Sequence, residues 1–294
     1  MVNPAAAGGK LGKRWSRVAK LLEVFGLKAS FVFTEAPGHA TELAAKAVAQ
    51  GAEAVIAAGG DGTVCEVAEG LQRAGGGVLG ILPLGTGNDT ARTLGIPRHL
   101  GKAIGTLRLA HVREIDLIKF GPRVAVNAVG IGVLGAINVT ATRFKKVRGM
   151  TAYLAAAFTV LLRYRSPAIS LESDSITYHR PTTLVAIQNG PTTGGGFRLA
   201  PGALPDDGRL NGCLVENVSP FQRLKSFWAA FRGRLEGQPG SHSFAFSWLR
   251  LTSAEPLPAH LDGNPLLVLP GSLEVRVLPK ALRVLTAFRA TNQG

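Results

Sequence analysis

Two stretches in the first hundred residues constrain the fold most. Ala54–Ala58 is an apolar run that ends in Gly59-Gly-Asp-Gly-Thr63, and Val78–Leu82 is another that ends in Pro83-Leu-Gly-Thr-Gly-Asn-Asp89. A helical pattern follows each, at about Val64–Arg73 and at Leu100–Leu109. Earlier helices are predicted from the spacing of Trp15, Val18, Ala19 and Leu22 and from Leu43, Ala44, Ala47 and Val48 within 41–49, with a β run at Ser30–Phe33 between them. Strands separated by helices of this length imply βαβ units and a parallel sheet covered on both faces. The two glycine turns would then share one sheet edge, where ligands bind. Almost nothing precedes residue 3, so the first strand is expected to be cut short.

After Asp116 the pattern changes. Val124–Val129, Thr183–Gln188 and Gly212–Glu216 read as strands, and Phe244, Phe246, Trp248 and Leu251 as further alternating segments. Turn signals such as Ala200-Pro-Gly and Pro205-Asp-Asp-Gly208 are dense, and helices fall at about 150–164 and 221–234. The expected organisation is a nucleotide-binding α/β domain over 1–116 and a β-rich substrate domain over 117–280. Residues 281–294 form a segment returning to the first domain. With 294 residues, 46% hydrophobic and 18% charged, such a chain can build two cores without staples. Its two cysteines, Cys65 and Cys213, exclude a disulfide framework and a four-cysteine zinc site.

The glycines let the backbone approach a ligand closely, and a helix start directs N–H groups at an anion. Thr63 and Glu66 have the spacing of a capping box for that helix. Asp61 is the informative residue: a carboxylate beside a phosphate repels it unless a cation intervenes, which suggests Mg²⁺ bound with a nucleotide. The plainer reading is a glycine-rich turn with a capping Asp. A Walker A reading of Ala7–Arg14 fails at both ends. Gly130-Ile-Gly-Val-Leu-Gly135 matches the dinucleotide fingerprint, but the next acidic residue is Glu172, so close backbone packing explains it better.

The net charge of +14 is unevenly spread. The first 116 residues carry +3; residues 117–171 hold eight basic residues and no acidic one, and 217–254 hold five against Glu236 alone. An anionic partner is implied: a nucleic acid, a phosphorylated small molecule or a membrane surface. No helix-turn-helix or aromatic RNA-binding signature accompanies the charge, so no specific nucleic acid is expected. Within 221–234, Phe221, Leu224, Trp228 and Phe231 recur at helical spacing with basic residues between them. That composition suits an interfacial helix, and equally a helix packing its aromatic face on a core. The longest apolar helical run, between Arg148 and Arg163, is too short to span a bilayer, and no signal peptide is visible. A cytoplasmic protein with peripheral membrane association is expected.

Seven segments together resemble a known family. They are Asn3-Pro4 with the glycines after it, Gly59-Gly-Asp-Gly-Thr63, Pro83-Leu-Gly-Thr-Gly-Asn-Asp89, Ile115-Asp-Leu117, Gly194-Gly-Gly-Phe197, Pro205-Asp-Asp-Gly208 and Leu261-Asp-Gly263. The chain resembles the diacylglycerol kinase catalytic-domain family of lipid kinases, in its bacterial soluble branch, related to sphingosine kinases. Gly-Gly-Asp-Gly alone is shared with NAD kinases and phosphofructokinases; the Pro-Leu-Gly-Thr-Gly-Asn-Asp and Leu-Asp-Gly segments together are specific.

The resemblance implies an N-terminal three-layer α/β domain with a parallel sheet, a C-terminal β-sandwich, and ATP in the cleft between them. The implied reaction is ATP- and Mg²⁺-dependent transfer of the γ-phosphate to a hydroxyl of a diacylglycerol-like or sphingoid lipid. Nucleotide contacts fall on Asn3, Thr34, Gly59, Gly60, Asp61, Gly62, Thr63, Glu66, Gly85, Thr86 and Asn88, with Asp61 acting through Mg²⁺. Asp207, with the carbonyls of Leu204 and Arg209, resembles a structural Mg²⁺ site, and Asp262 the catalytic base. Read alone, Asp207 is a β-turn residue and Asp262-Gly263 a hairpin turn. The family usually has Glu where this chain has Asn264, and Asn where it has Cys65. The alternatives are an NAD or sugar-phosphate kinase, or a weakly active or inactive kinase homologue.

Overall fold

A computed structural model of the chain describes residues 1–143 and 150–287. These form two compact units, one of Met1–Ile115 joined by the chain from Lys280 onward, the other of Asp116–Pro279.

The first unit contains α1 (Ala6–Val24), α2 (His39–Ala49), β1 (Ala54–Gly59), α3 (Asp61–Arg73), β2 (Val78–Pro83), α4 (Asp89–Thr93) and α5 (Leu100–Leu109), then the start of β3 (His111–Phe120). β1 and β2 pair in parallel from Ala54–Val78 to Gly59–Pro83. Arg283 and Val284, near the end of the chain, add to β2 in parallel at Val78 and Leu79. Val55, Ala57, Ala58, Leu79, Ile81 and Leu82 are buried, with α1, α3 and α5 packed on these strands. Burial on this scale suits near-continuous apolar strands in a parallel sheet.

Ser30–Phe33 does not form the expected strand. Only Phe33 bridges a neighbour, Val2, which also bridges Ala58. Its ladder consists of Val2 N–H to Val32 O (2.8 Å) and Thr34 N–H to Val2 O (2.9 Å), too few bonds for a strand. Phe31 and Phe33 instead set their rings edge-on to Trp15.

The second unit runs from the end of β3 through β4 (Arg123–Ala125), β5 (Ala128–Gly132), α6 (Val133–Arg143), α7 (Met150–Arg163), β6 (Ala168–Ser173), β7 (Thr177–Gln188) and β8 (Leu210–Glu216). It continues with α8 (Pro220–Phe231), β9 (Ser241–Phe246), β10 (Trp248–Ser253), β11 (Leu257–Leu261), β12 (Asn264–Val268) and most of β13 (Gly271–Thr286). One antiparallel set runs β12-β11-β5-β7-β8-β9 and another β13-β10-β6-β7. The long β7 joins both: Thr177–Pro181 pair with β6, and residues from Leu184 on pair with β5 and β8.

α6 and α7 bury Val133, Ile137, Ala156, Ala157 and Leu161 against Leu184, Ala186, Cys213 and Val215 of the strands. The Gly130–Gly135 pattern is indeed packing: a Cβ at Gly135 would land on the Pro258–Ala259 backbone, and one at Gly130 on the His260 ring. The expected single strand Val124–Val129 forms as β4 and β5, broken at Val126–Asn127. Among the described residues no helix is long and apolar enough to cross a membrane. Lys145, Lys146 and Arg148 of the basic stretch lie outside the described residues.

Candidate active site

Because β1 and β2 are adjacent and parallel, their glycine turns leave the sheet side by side. Leu84 N–H donates to Gly59 O (2.8 Å). No side chain fits between the turns, since a Cβ at Gly85 would land on the Gly60 backbone and one at Gly59 on the Thr63 hydroxyl. Asn88, in a left-handed conformation (φ 53°), closes the second turn by accepting from Gly85 N–H and donating to Gly85 O, both at 3.0 Å. Its side chain therefore braces the loop, while Thr86 is exposed at the tip.

Asp61 ties the turns together, its Oδ1 accepting the Thr90 N–H at 2.9 Å. Burial, and then the charge of neighbouring Asp89, push the Asp61 carboxyl above its usual pKa; the Thr90 and Asp89 amides oppose this. Asp89 itself is paired with Arg92.

The predicted capping box does not form. Gly60 is the N-cap of α3 with no side-chain cap. Thr63 Oγ1 accepts from Asn3 Nδ2 (2.9 Å), which fixes Asn3 beside the first glycine turn. Glu66 turns away to α2, accepting from Gly38 N–H (2.9 Å) and Ala40 N–H (3.2 Å). The start of α2 has no side-chain cap of its own, and a carboxylate there satisfies orphan amides and interacts favourably with the positive end of the helix dipole. Thr34 is buried, with its N–H on Val2 O.

In the second unit Asp262 and Gly263 form the two-residue turn between β11 and β12, with left-handed φ of 46° and 86°. Such a turn favours Asp-Gly. The Asp262 side chain also does long-range work. Oδ2 accepts from Val126 N–H (2.6 Å), and Oδ1 from Asn127 N–H (3.1 Å) and Ala128 N–H (2.7 Å). These amides lie at the break between β4 and β5, so a carboxylate more than 130 residues away is what splits the expected strand. Asn138 Nδ2 braces the turn from α6 by donating to Gly263 O (3.0 Å). His260 Nδ1 accepts the Gly263 N–H (3.3 Å). Burial pushes the His260 pKa down to about 4, so the ring is neutral near pH 7.

Asp207 is exposed, and its Oδ1 accepts the Arg209 N–H (2.9 Å), an ordinary Asx contact. The Leu204 side chain is also exposed. What anchors this turn is Asp116, whose Oδ2 accepts the Gly208 N–H (2.7 Å) and whose N–H donates to Pro205 O (2.7 Å). Asn189 Nδ2 then donates to both Asp116 O (2.8 Å) and Val126 O (2.7 Å), joining the Pro205–Gly208 turn to the break held by Asp262. Sequence reasoning gave Asp116 no role beyond its place in a motif and missed Asn189, which no local pattern marks.

Among the described residues no three His, Cys, Asp or Glu side chains converge. A magnesium ion would therefore rest on one or two carboxylates with phosphate, carbonyl or water oxygens, which is its usual mode beside nucleotides.

Residues 1–120 match the diacylglycerol kinase catalytic domain, and residues 127–286 match the YegS C-terminal NAD kinase beta sandwich-like domain. A Pseudomonas syringae pv. syringae protein named "Probable lipid kinase YegS-like" is 34% identical over 78% of this chain and 75% of its own. A Staphylococcus saprophyticus protein named "Diacylglycerol kinase" is 29% identical over 85% and 83%. A crystal structure of a diacylglycerol kinase from Bacillus anthracis superposes with a TM-score of 0.71 at 21% identity, covering 97% of this chain and 94% of that one. The chain belongs to the diacylglycerol kinase catalytic-domain family of lipid kinases and is a kinase, with an α/β domain followed by a β-sandwich-like domain.

Proposed function

We propose that this kinase uses ATP and Mg²⁺ to phosphorylate a hydroxyl of a diacylglycerol-like or sphingoid lipid, working in the cytoplasm at an anionic membrane surface. The observation that carries the reading is the pair of glycine turns locked together by Asp61. Its carboxylate is buried beside Asp89 at an energetic cost, the condition a divalent cation relieves. Mg²⁺ bound there would neutralise charge on the transferring phosphate. The backbone of Gly59–Thr63 and Gly85–Thr86 takes the phosphates, and Asn3 steadies the first turn through Thr63. Asp262 accepts the proton of the lipid hydroxyl, oriented by the Val126–Ala128 amides. With Asn264 in place of the family's Glu, it is the only carboxylate of that turn. Asp207 with the carbonyls of Leu204 and Arg209 forms a second, structural Mg²⁺ site. The basic excess of residues 117–254 supports the membrane setting.

Purified protein incubated with γ-labelled ATP, Mg²⁺ and a panel of diacylglycerol, sphingosine and phosphatidylglycerol, with NAD and a sugar phosphate as further acceptors, tests the reading. Label is expected in a lipid. Label in NAD or a sugar phosphate instead would shift the acceptor class, and no transfer from a folded protein would sink the proposal.

A further inference from the structure

α7 and α8 turn their buried sides to one core cluster, through Ala156, Ala157 and Leu161 of α7 and Ala230 of α8. Their outer sides are unusually apolar. On α7, Leu154, Phe158 and Leu162 recur every four residues, and Phe158 is 58% exposed. On α8, Phe221, Trp228 and Phe231 are 68%, 54% and 51% exposed. The core-packing alternative for α8 thus accounts for its Arg223, Leu224, Ser226, Phe227 and Ala230 side, with the half-exposed Phe231 ring edge-on to Phe197, and leaves Phe221 and Trp228 outside.

The apolar stripe on α8 is interleaved with charge of one sign. Lys225 sits 4.6 Å over the Phe221 ring. With Trp228, Arg232, Arg234 and Gln238 it lines an open groove of about 630 Å³. Glu236 is the one acidic residue of 217–254. A protein partner's apolar face would leave these three cations to be desolvated without carboxylates. An anionic bilayer meets both needs, since headgroup phosphates take the cations while Trp and Phe enter the acyl boundary.

We propose that the outer faces of α7 and α8 form a docking surface for an anionic bilayer, with the groove of Lys225, Arg232 and Arg234 around Trp228 seating a lipid headgroup phosphate. This gives the membrane setting of the kinase reading a place on the molecule, and the test needs neither nucleotide nor acceptor.

The full chain is titrated with vesicles of phosphatidylcholine alone or with about 30 mol% phosphatidylglycerol. The expected result is binding to the anionic vesicles, weakening with salt, with Trp228-dependent quenching by brominated lipid. Lys225→Gln/Arg232→Gln/Arg234→Gln should weaken it about a hundredfold, at roughly fivefold per basic residue near an anionic surface. Phe158→Ser/Leu162→Ser should weaken binding at high salt as well as low, because its contribution is apolar. All five side chains are exposed, so the fold should tolerate the changes, and circular dichroism checks this. Equal binding to neutral vesicles, or wild-type affinity in the triple variant, overturns the proposal. So does displacement by millimolar inorganic phosphate at constant ionic strength, or tighter binding to duplex DNA than to vesicles. Failure of phosphate transfer alone leaves this result standing, and failure here leaves the transfer assay to judge the kinase reading.

Discussion

Asp61 in the first unit and Asp262 in the second both stand before a glycine near the end of an apolar strand, and the fold treats their charges in opposite ways. Asp262 is met by three backbone amides, and a break in the neighbouring strand brings them to it. Asp61 accepts the Thr90 amide while burial and Asp89 raise the cost of its charge. One unit compensates the charge with three amides of its own backbone; the other compensates it only in part, and in the proposed function a cation supplies the rest. The same dipeptide therefore marks a carboxylate met by three amides in one place and one held against its charge in the other.

The largest expected effect comes from removing the compensated charge. Asp262→Ala strands three buried amides, each costing about 1–3 kcal/mol, so chemical denaturation should show a loss of several kcal/mol. Asp262→Asn keeps one acceptor oxygen and should lose less stability, yet lose about 10²–10⁴-fold in phosphate transfer if Asp262 takes the proton. Activity that falls only in step with stability would reduce Asp262 to a brace for the Val126–Ala128 break.

His260 supports the same turn and should set its acid limit. Its folded pKa, near 4, lies below the unfolded value near 6.5. The stability it contributes is complete above pH 6.5 and is lost as pH falls toward 4, by about 3 kcal/mol in all. Denaturant midpoints measured from pH 7 to 4 should fall in the wild type and stay flatter in His260→Gln. Identical slopes would show that other groups set the acid limit. The glycine turns predict a smaller loss: Gly85→Ala forces a Cβ into the Gly60 backbone, costing about 1–3 kcal/mol of overpacking. Nucleotide affinity, read by titration calorimetry, should drop at least tenfold, since the turns can no longer touch.

How far the sequence could be read follows the range of the forces. β1, α3, β2 and α5 were legible because their periodicity and glycine punctuation are local. The break at Val126–Asn127 was not, because its cause lies at Asp262. Thr63 and Glu66 had the spacing of a capping box, but Asn3 and the start of α2, 60 and about 27 residues away, claim them. Ser30–Phe33 has the composition of a strand and pairs only at Val2. In the site, the residue types of Asp61 and Asp262 were legible; the environments that separate their roles were not.

Asp61 should give the smallest change in stability and the sharpest contrast. Its folded carboxyl holds the proton more tightly than the unfolded one, because of burial and Asp89. Its favourable contribution is thus complete below the unfolded pKa and is lost as pH rises through the folded one. Without Mg²⁺, Asp61→Asn should remove that loss, keep an oxygen for the Thr90 amide, and be slightly more stable than wild type at pH 7. Added Mg²⁺ with nucleotide should raise the melting temperature of the wild type by mass action and leave the variant nearly unmoved. An equal shift in both proteins would mean the cation rests elsewhere. A variant less stable than wild type at every pH would make Asp61 a backbone brace like Asp262, and the contrast between the two carboxylates would disappear.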